Sequence, residues 1–183
     1  MDAGQRWRVN DSGGAQLRAQ NARGHRVRQR CDQLRRPTQT WLAENGGDGR
    51  LIGQVDYGEN ETDPEARNLR GQAVRMFDQA GRVDSEAFDF KGNLLKSSRR
   101  FTQTYDALID WESEPDLHTT AHITETVCDA LNRPTDLLAP DESRHVMTFN
   151  SAGFLETVSV RLNGQAETTR FVENIDYDAK GQR

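Results

Sequence analysis

Three side chains in this sequence have the spacing of a metal site. His118, His122 and Glu125 stand at i, i+4 and i+7. On a helix they would share one face and could ligate zinc. The run that holds them, L-H-T-T-A-H-I-T-E-T-V, argues against that geometry. It is rich in threonine and β-branched residues, and it lacks the glutamate that follows the first histidine of a zincin. Read as a strand, it places His118, His122 and Thr124 on one face and turns Glu125 away. Neither a metal nor a cofactor is expected. Asp110/Glu112 and Glu114/Asp116 are the residue types of a general acid and base. Nothing positions them, and an irregular acidic loop over 109–117 accounts for them. Cys31 and Cys128 have no CxxC partner and no metal spacing, and a disulfide between them is open but unsupported. No nucleophile elbow, phosphate-binding glycine loop or dinucleotide fingerprint is present, so no catalytic residue is assigned.

The elements around these residues carry more information. Phe77-Asp78-Gln79-Ala80-Gly81 is followed eleven residues later by Phe88-Asp89-Phe90-Lys91-Gly92. The unit is an aromatic, an aspartate, two variable residues and a glycine. The aromatic ends a strand, the aspartate bonds its own backbone two residues on, and the glycine takes the positive φ that closes a turn. Weaker copies begin at Asn10, Gln20 and Cys31, and later ones at Phe149 (to Gly153) and Tyr177 (Tyr177-Asp178-Ala179-Lys180-Gly181). A longer match aligns Cys31–Thr38 (CDQLRRPT) with Cys128–Thr135 (CDALNRPT), six of eight positions being identical. It puts Cys31 and Cys128, the latter followed by Asp129, in the aromatic slot, which predicts buried small hydrophobes. Such a period marks a repeat architecture of strands and turns.

Composition agrees with a sheet that has a wet face. Of 183 residues, 34% are hydrophobic and 29% charged, with 15 glycines and a net charge of -5. Residues 1–40 hold nine arginines against three aspartates, a net of +6, so the remainder carries -11. A basic arm is a candidate for nucleic acid or an acidic surface. Arg26, Arg28 and Arg30 alternate with Val27 and Gln29 as the solvated face of a strand. With no aromatic stacking platform beside them, nucleic acid is not an expected partner. No membrane span and no signal peptide is visible.

Two segments interrupt the strand pattern. Residues 63–70 carry Pro64 at a first helical position, Glu65 in the first turn and Gly71 as a stop, which predicts a short helix or helical turn. Residues 43–50, with their glycines, read as a loop. The strand expected after Gly181 is missing, so the chain reads as one non-autonomous sheet segment over 1–183, truncated at its C-terminus.

The aromatic-Asp-x-x-Gly unit resembles the YD repeat of Rhs proteins. Longer blocks sharpen the resemblance: Tyr57-Gly58-Glu59, Glu65–Gln72, Phe88–Leu95, Asp129–Pro134 and Asn174–Arg183. They are similar to large bacterial Rhs proteins of the kind found as B and C components of insecticidal toxin complexes. The resemblance implies an all-β antiparallel hairpin sheet that forms part of a hollow shell around a C-terminal toxic polypeptide. It also implies that catalysis lies elsewhere, in a variable tail and in an aspartyl autoprotease core marked by Asp-Pro-x-Gly. Here Asp63-Pro64 continues into Glu65-Ala66, so that core is absent from this sequence. The partners implied are the rest of the shell, the enclosed toxin and a delivery component, in an exported protein. Two other readings stand beside it. One is a carbohydrate- or cell-surface-binding module that uses Trp7, Trp41 or Trp111, and the other is a gene fragment without function.

Overall fold

The computed structural model describes residues 6–9, 15–20, 25–44 and 47–182, with side chains described for 25–44 and 47–182. The turn residues of the two weakest copies, 10–14 and 21–24, lie outside the described residues, as does the side chain of Trp7. Thirteen strands follow in chain order: β1 (Arg6–Val9), β2 (Ala15–Gln20), β3 (Arg26–Cys31), β4 (Pro37–Ala43), β5 (Arg50–Tyr57), β6 (Ala73–Asp78), β7 (Gly81–Phe88), β8 (Leu94–Phe101), β9 (His122–Cys128), β10 (Pro134–Leu138), β11 (Arg144–Phe149), β12 (Leu155–Arg161) and β13 (Thr169–Val172). They follow one another in chain order in the sheet, and β1 to β7 and β9 to β13 pair antiparallel with their sequence neighbours. The all-β class expected from the sequence is the one observed. Two-fold alternation explains the strands: Arg26 to Cys31 and Arg144 to Phe149 both alternate exposed and half-buried along their length.

The chain divides into two compact units. One comprises residues 1–84 and 99–121, the other 85–98 and 122–183. The first has a small core, with Leu51, Leu69, Val74 and Ile109 buried. In the second, Val160 is the buried apolar side chain among the described residues. Its stability therefore rests on cross-strand pairs and turns more than on a packed interior.

Three expectations from the sequence need correction. Residues 63–70 form the helical turn and not the short helix: Arg67 N–H bonds Asp63 O and Leu69 N–H bonds Pro64 O, but Asp63 (φ 49°) and Asn68 (φ 56°) are left-handed and stop a helix from propagating. That kink drives Leu69, 1% exposed, onto Gly58, where a Cβ would come within 2.6 Å of Leu69 Cβ. The cysteines are free and half-buried at strand ends rather than buried. Pairing with Pro37 and Pro134 (Cys31↔Pro37, Cys128↔Pro134) ends each ladder at a residue without an N–H, which leaves the thiols partly open. His118, His122 and Thr124 do not share a strand face. β9 begins at His122, and His118 N–H is already bonded to Phe101 O.

Candidate functional site

The turns that the repeated unit predicts are the most regular feature of the molecule, and one geometry recurs. In the second unit, Asp89 N–H bonds Asn93 O and Gly92 N–H bonds Asp89 O, while Asp89 Oδ1 accepts from Lys91 N–H (2.8 Å) and Asn93 N–H (2.9 Å). Asp129 repeats this with Leu131 and Arg133, Asn150 with Ala152 and Phe154, and Asp178 with Lys180 and Gln182. The fourth residue of each turn is left-handed: Gly92 (φ 86°), Asn132 (φ 63°), Gly153 (φ 87°) and Gly181 (φ 74°). In the first unit Asp32 does the same with Arg36, and Arg35 (φ 63°) takes the left-handed place. One side-chain oxygen, of a carboxylate or of the Asn150 amide, thus satisfies loop amides that the strand ladder cannot reach.

The second carboxylate oxygen holds the residue four positions on. Asp32 Oδ2 accepts from Arg36 Nε at 2.7 Å, Asp129 Oδ2 from Arg133 Nε at 2.7 Å, and Asp89 Oδ2 from Asn93 Nδ2 at 2.8 Å. The clamped arginines then lie over aromatic rings of a later strand. Arg36 sits 3.9 Å from the Tyr57 centroid and Arg133 4.2 Å from that of Phe149. The eight-residue internal match is therefore a match in three dimensions. It extends to Thr38 and Thr135, whose hydroxyls each donate to a strand carbonyl at 3.2 Å.

Consecutive turns on one rim of each unit are also tied together. Alternate hairpins lie two strand spacings apart, about 10 Å, so a long side chain is needed to bridge them. In the second unit Lys91 Nζ donates to Ala130 O, Asn93 Nδ2 to Asn132 Oδ1 (2.9 Å) and Arg133 Nη1 to Gly153 O (3.0 Å). Phe154 stacks on Tyr177 at 4.8 Å, and Tyr177 O–H donates to Leu155 O (2.8 Å). In the first unit Tyr57 O–H reaches Pro37 O (3.1 Å), and Arg36 pairs with Glu59 at 2.6 Å. The Arg36 hydrogen bond holds the Glu59 carboxyl at about 2 despite an opposing push from burial. The Arg133 side chain, then its amide, lowers Asp129, and Asn93 lowers Asp89. Burial, helped by Asp32, pushes the Cys31 thiol up, away from reactivity.

The Phe77 turn is built differently. Asp78 pairs directly with Gly81, leaving a two-residue loop, and Asp78 Oδ1 accepts from Ala80 and Gly81 N–H. Residues 102–121 pack onto this end. Trp111 meets Phe77 edge-on at 4.8 Å and its Nε1 donates to Asp78 O. Asp110 Oδ1 accepts from Leu51 N–H, and Gln79 bridges Ile52 O, Ile109 O and Ile109 N–H. These contacts cover the part of β5 that extends past its partner β6. Asp110 is thereby a loop anchor and the cap of the 3-10 turn Trp111–Ser113. Glu125 pairs with Lys96 at 2.8 Å. Among the described residues no cluster of three His, Cys, Asp or Glu side chains could hold a metal ion, and no helix is long and apolar enough to cross a membrane. Phe77, Phe88, Phe149 and Tyr177 are all half-buried.

The comparisons with known proteins bear on the whole arrangement. A crystal structure of TcdB2-TccC3-Cdc42 superposes with a TM-score of 0.80 over 96% of this chain, at 18% identity. The fold is that of TcdB2-TccC3. A second TcdB2-TccC3 structure, without its hypervariable C-terminal region, covers 99% of the chain at 21% identity and a TM-score of 0.79. In sequence the chain is 26% identical over 157 residues to the toxin subunit YenC2 of Yersinia entomophaga. No family model matches. The chain spans 16% of the length of YenC2 and 9% of the TcdB2-TccC3 chains. The resemblance to Rhs and toxin-complex proteins read from the sequence thus appears in both sequence and fold. Within the TcdB2-TccC3 fold, the residues that sequence reading overlooked are Arg36 and Arg133. Their signal was present: both are identical in the two copies of the eight-residue match.

Proposed function

We propose that this chain is a length of wall in a toxin-enclosing shell and takes no part in catalysis. Its partners would be the rest of that shell, the toxic polypeptide inside it and a component that delivers the assembly from an exported complex. The observation that carries this reading is the rim of tied, aspartate-clamped turns on a sheet with the TcdB2-TccC3 fold. A wall must hold a meander in register without a deep core, and turns locked to their neighbours do that. Phe77, Asp78, Gly81, Phe88, Asp89, Gly92, Cys128, Asp129, Phe149, Gly153, Tyr177, Asp178 and Gly181 are then structural repeat positions. Their carboxylates serve as turn acceptors. Trp111 is held by Phe77 and Asp78, which makes it an anchor rather than a free platform for a sugar ring.

Protease protection tests the reading. The protein is purified with whatever polypeptide accompanies it and treated with a broad-specificity protease, with and without mild denaturant. The expected result is an accompanying polypeptide that survives until denaturant opens the wall. Digestion at the same rate in both conditions would refute enclosure.

A further inference from the structure

The rim turns leave one charged feature unexplained. Arg26, Arg28 and Arg30 all project from the exposed face of β3. Among the described residues none of the three has an ion-pair partner, and unlike Arg35, Arg50, Arg67, Arg161 and Arg170, which also have none, they stand in one row on one strand face. Beside them lies a pocket of about 340 Å³, lined by the three arginines, Trp41, Asp48 and Gly49 among others. Arg30 stands 5.4 Å from the Trp41 ring centroid and shares Gln39 Oε1 with Trp41 Nε1. The backbone register continues the basic row, since Arg28 pairs with Arg18 and Arg18 with Arg6.

We propose that this face of β3 docks an acidic polypeptide segment in extended conformation, with one apolar side chain seated against Trp41. The spacing argues for it. Side chains two apart on a strand repeat every ~7 Å, and an extended peptide repeats its own alternate side chains at about the same distance. Carboxylates at every second residue would therefore meet Arg26, Arg28 and Arg30 one to one, each through the planar guanidinium fork. Asp48, also in the lining, repels a carboxylate beside it and leaves that place to an uncharged side chain. Nucleic acid fits less well. The Trp41 indole N–H is engaged by Gln39, and Gly49 lies against the six-membered ring, where a Cβ would come to 3.6 Å. Trp41 is half-buried between Gly49 and Arg30, so what stays open suits one aliphatic side chain and not a stacked base.

The test uses the full chain and four labelled probes: a ten-residue peptide alternating Glu with Ser around one Leu, the same composition with its glutamates in one block, the alternating peptide with Lys for Glu, and a ten-nucleotide oligothymidylate. Fluorescence anisotropy should give saturable, salt-sensitive binding of the alternating acidic peptide, with weaker binding of the block peptide and none of the lysine peptide. The triple variant R26Q/R28Q/R30Q should lose about tenfold in affinity or more, equivalent to about 1.4 kcal/mol. Arg28→Gln alone should lose part of it, and this variant decides the matter if the triple variant does not fold. Arg161→Gln should bind like the parent. Absence of binding by the alternating peptide, or equal affinity in parent and Arg28→Gln, would overturn the proposal. So would tighter binding of oligothymidylate, which would assign the face to nucleic acid.

Discussion

Phe77–Gly81 and Phe88–Gly92 spell the same unit and fold into different turns. At Phe88 the aspartate bonds the amides two and four residues on, and Gly92 sits at φ 86°. At Phe77 it bonds those two and three residues on, the loop shortens, and Gly81 becomes a paired strand residue at φ 146°. The glycines are required for different reasons. Gly92 supplies a left-handed conformation that Arg35 and Asn132 also adopt in sister turns. Gly81 supplies space: a Cβ there would collide with Arg100 O and come within 2.8 Å of Phe101 Cα. A sequence motif can therefore specify that a chain turns while the strands beside it decide how.

Substitution of the two glycines should separate the two turns most. Gly81→Ala should cost about 3 kcal/mol or more, because strain at positive φ adds to a collision with backbone that cannot move aside. Chemical denaturation of parent and variant measures it, and a cost equal to that of Gly92→Ala would erase the distinction. Trp111→Ala comes next. It removes an aromatic contact and a hydrogen bond from the Phe77 turn, about 2 kcal/mol together. Hydrogen exchange should quicken at Gln79 and Ala80 and leave Lys91 and Gly92 unchanged. Gly92→Ala should cost about 1 kcal/mol, the usual penalty of a left-handed L-residue, and Gly92→Asn less.

The smallest effect is that of pH on the clamps. The folded Glu59 carboxyl, at about 2 against an ordinary 4.5, is depressed. Its contribution is therefore complete above about pH 4.5 and is lost as pH falls toward 2. For a half-exposed pair this amounts to a few tenths to about 1 kcal/mol. Asp89 and Asp129, also lowered, add to the loss in the same direction. Thermal melts should be level from pH 7 to 5 and fall below that. Arg36→Gln should flatten the fall.

The strands, the hairpin turns and the aspartate's place in them were legible because a two-fold alternation and an Asx turn are local. Turn type was not, since Gly81 is set by Arg100 and Phe101 at the far end of β8. Three left-handed turn positions carry Arg35, Asn132 and Glu142 rather than glycine, so a search for Gly passes over them. The segment at 63–70 stopped at a helical turn, short of a helix, for the same reason. Its capping signals were local, while the packing of Leu69 on Gly58 was not. The arginine clamps were half legible: the CD-x-L-x-RPT match marked the positions, but a stack on Tyr57 or Phe149 depends on a strand not yet placed.

Cryo-electron microscopy of the particle this chain forms with its co-purifying partners tests most directly whether it is wall. The expected map shows a closed wall around internal density, with strands β1–β13 as one stretch of it and the Asp89, Asp129 and Asn150 turns aligned along a single rim. A particle with no enclosed volume, or a map in which this chain stands free of any continuing sheet, would contradict it.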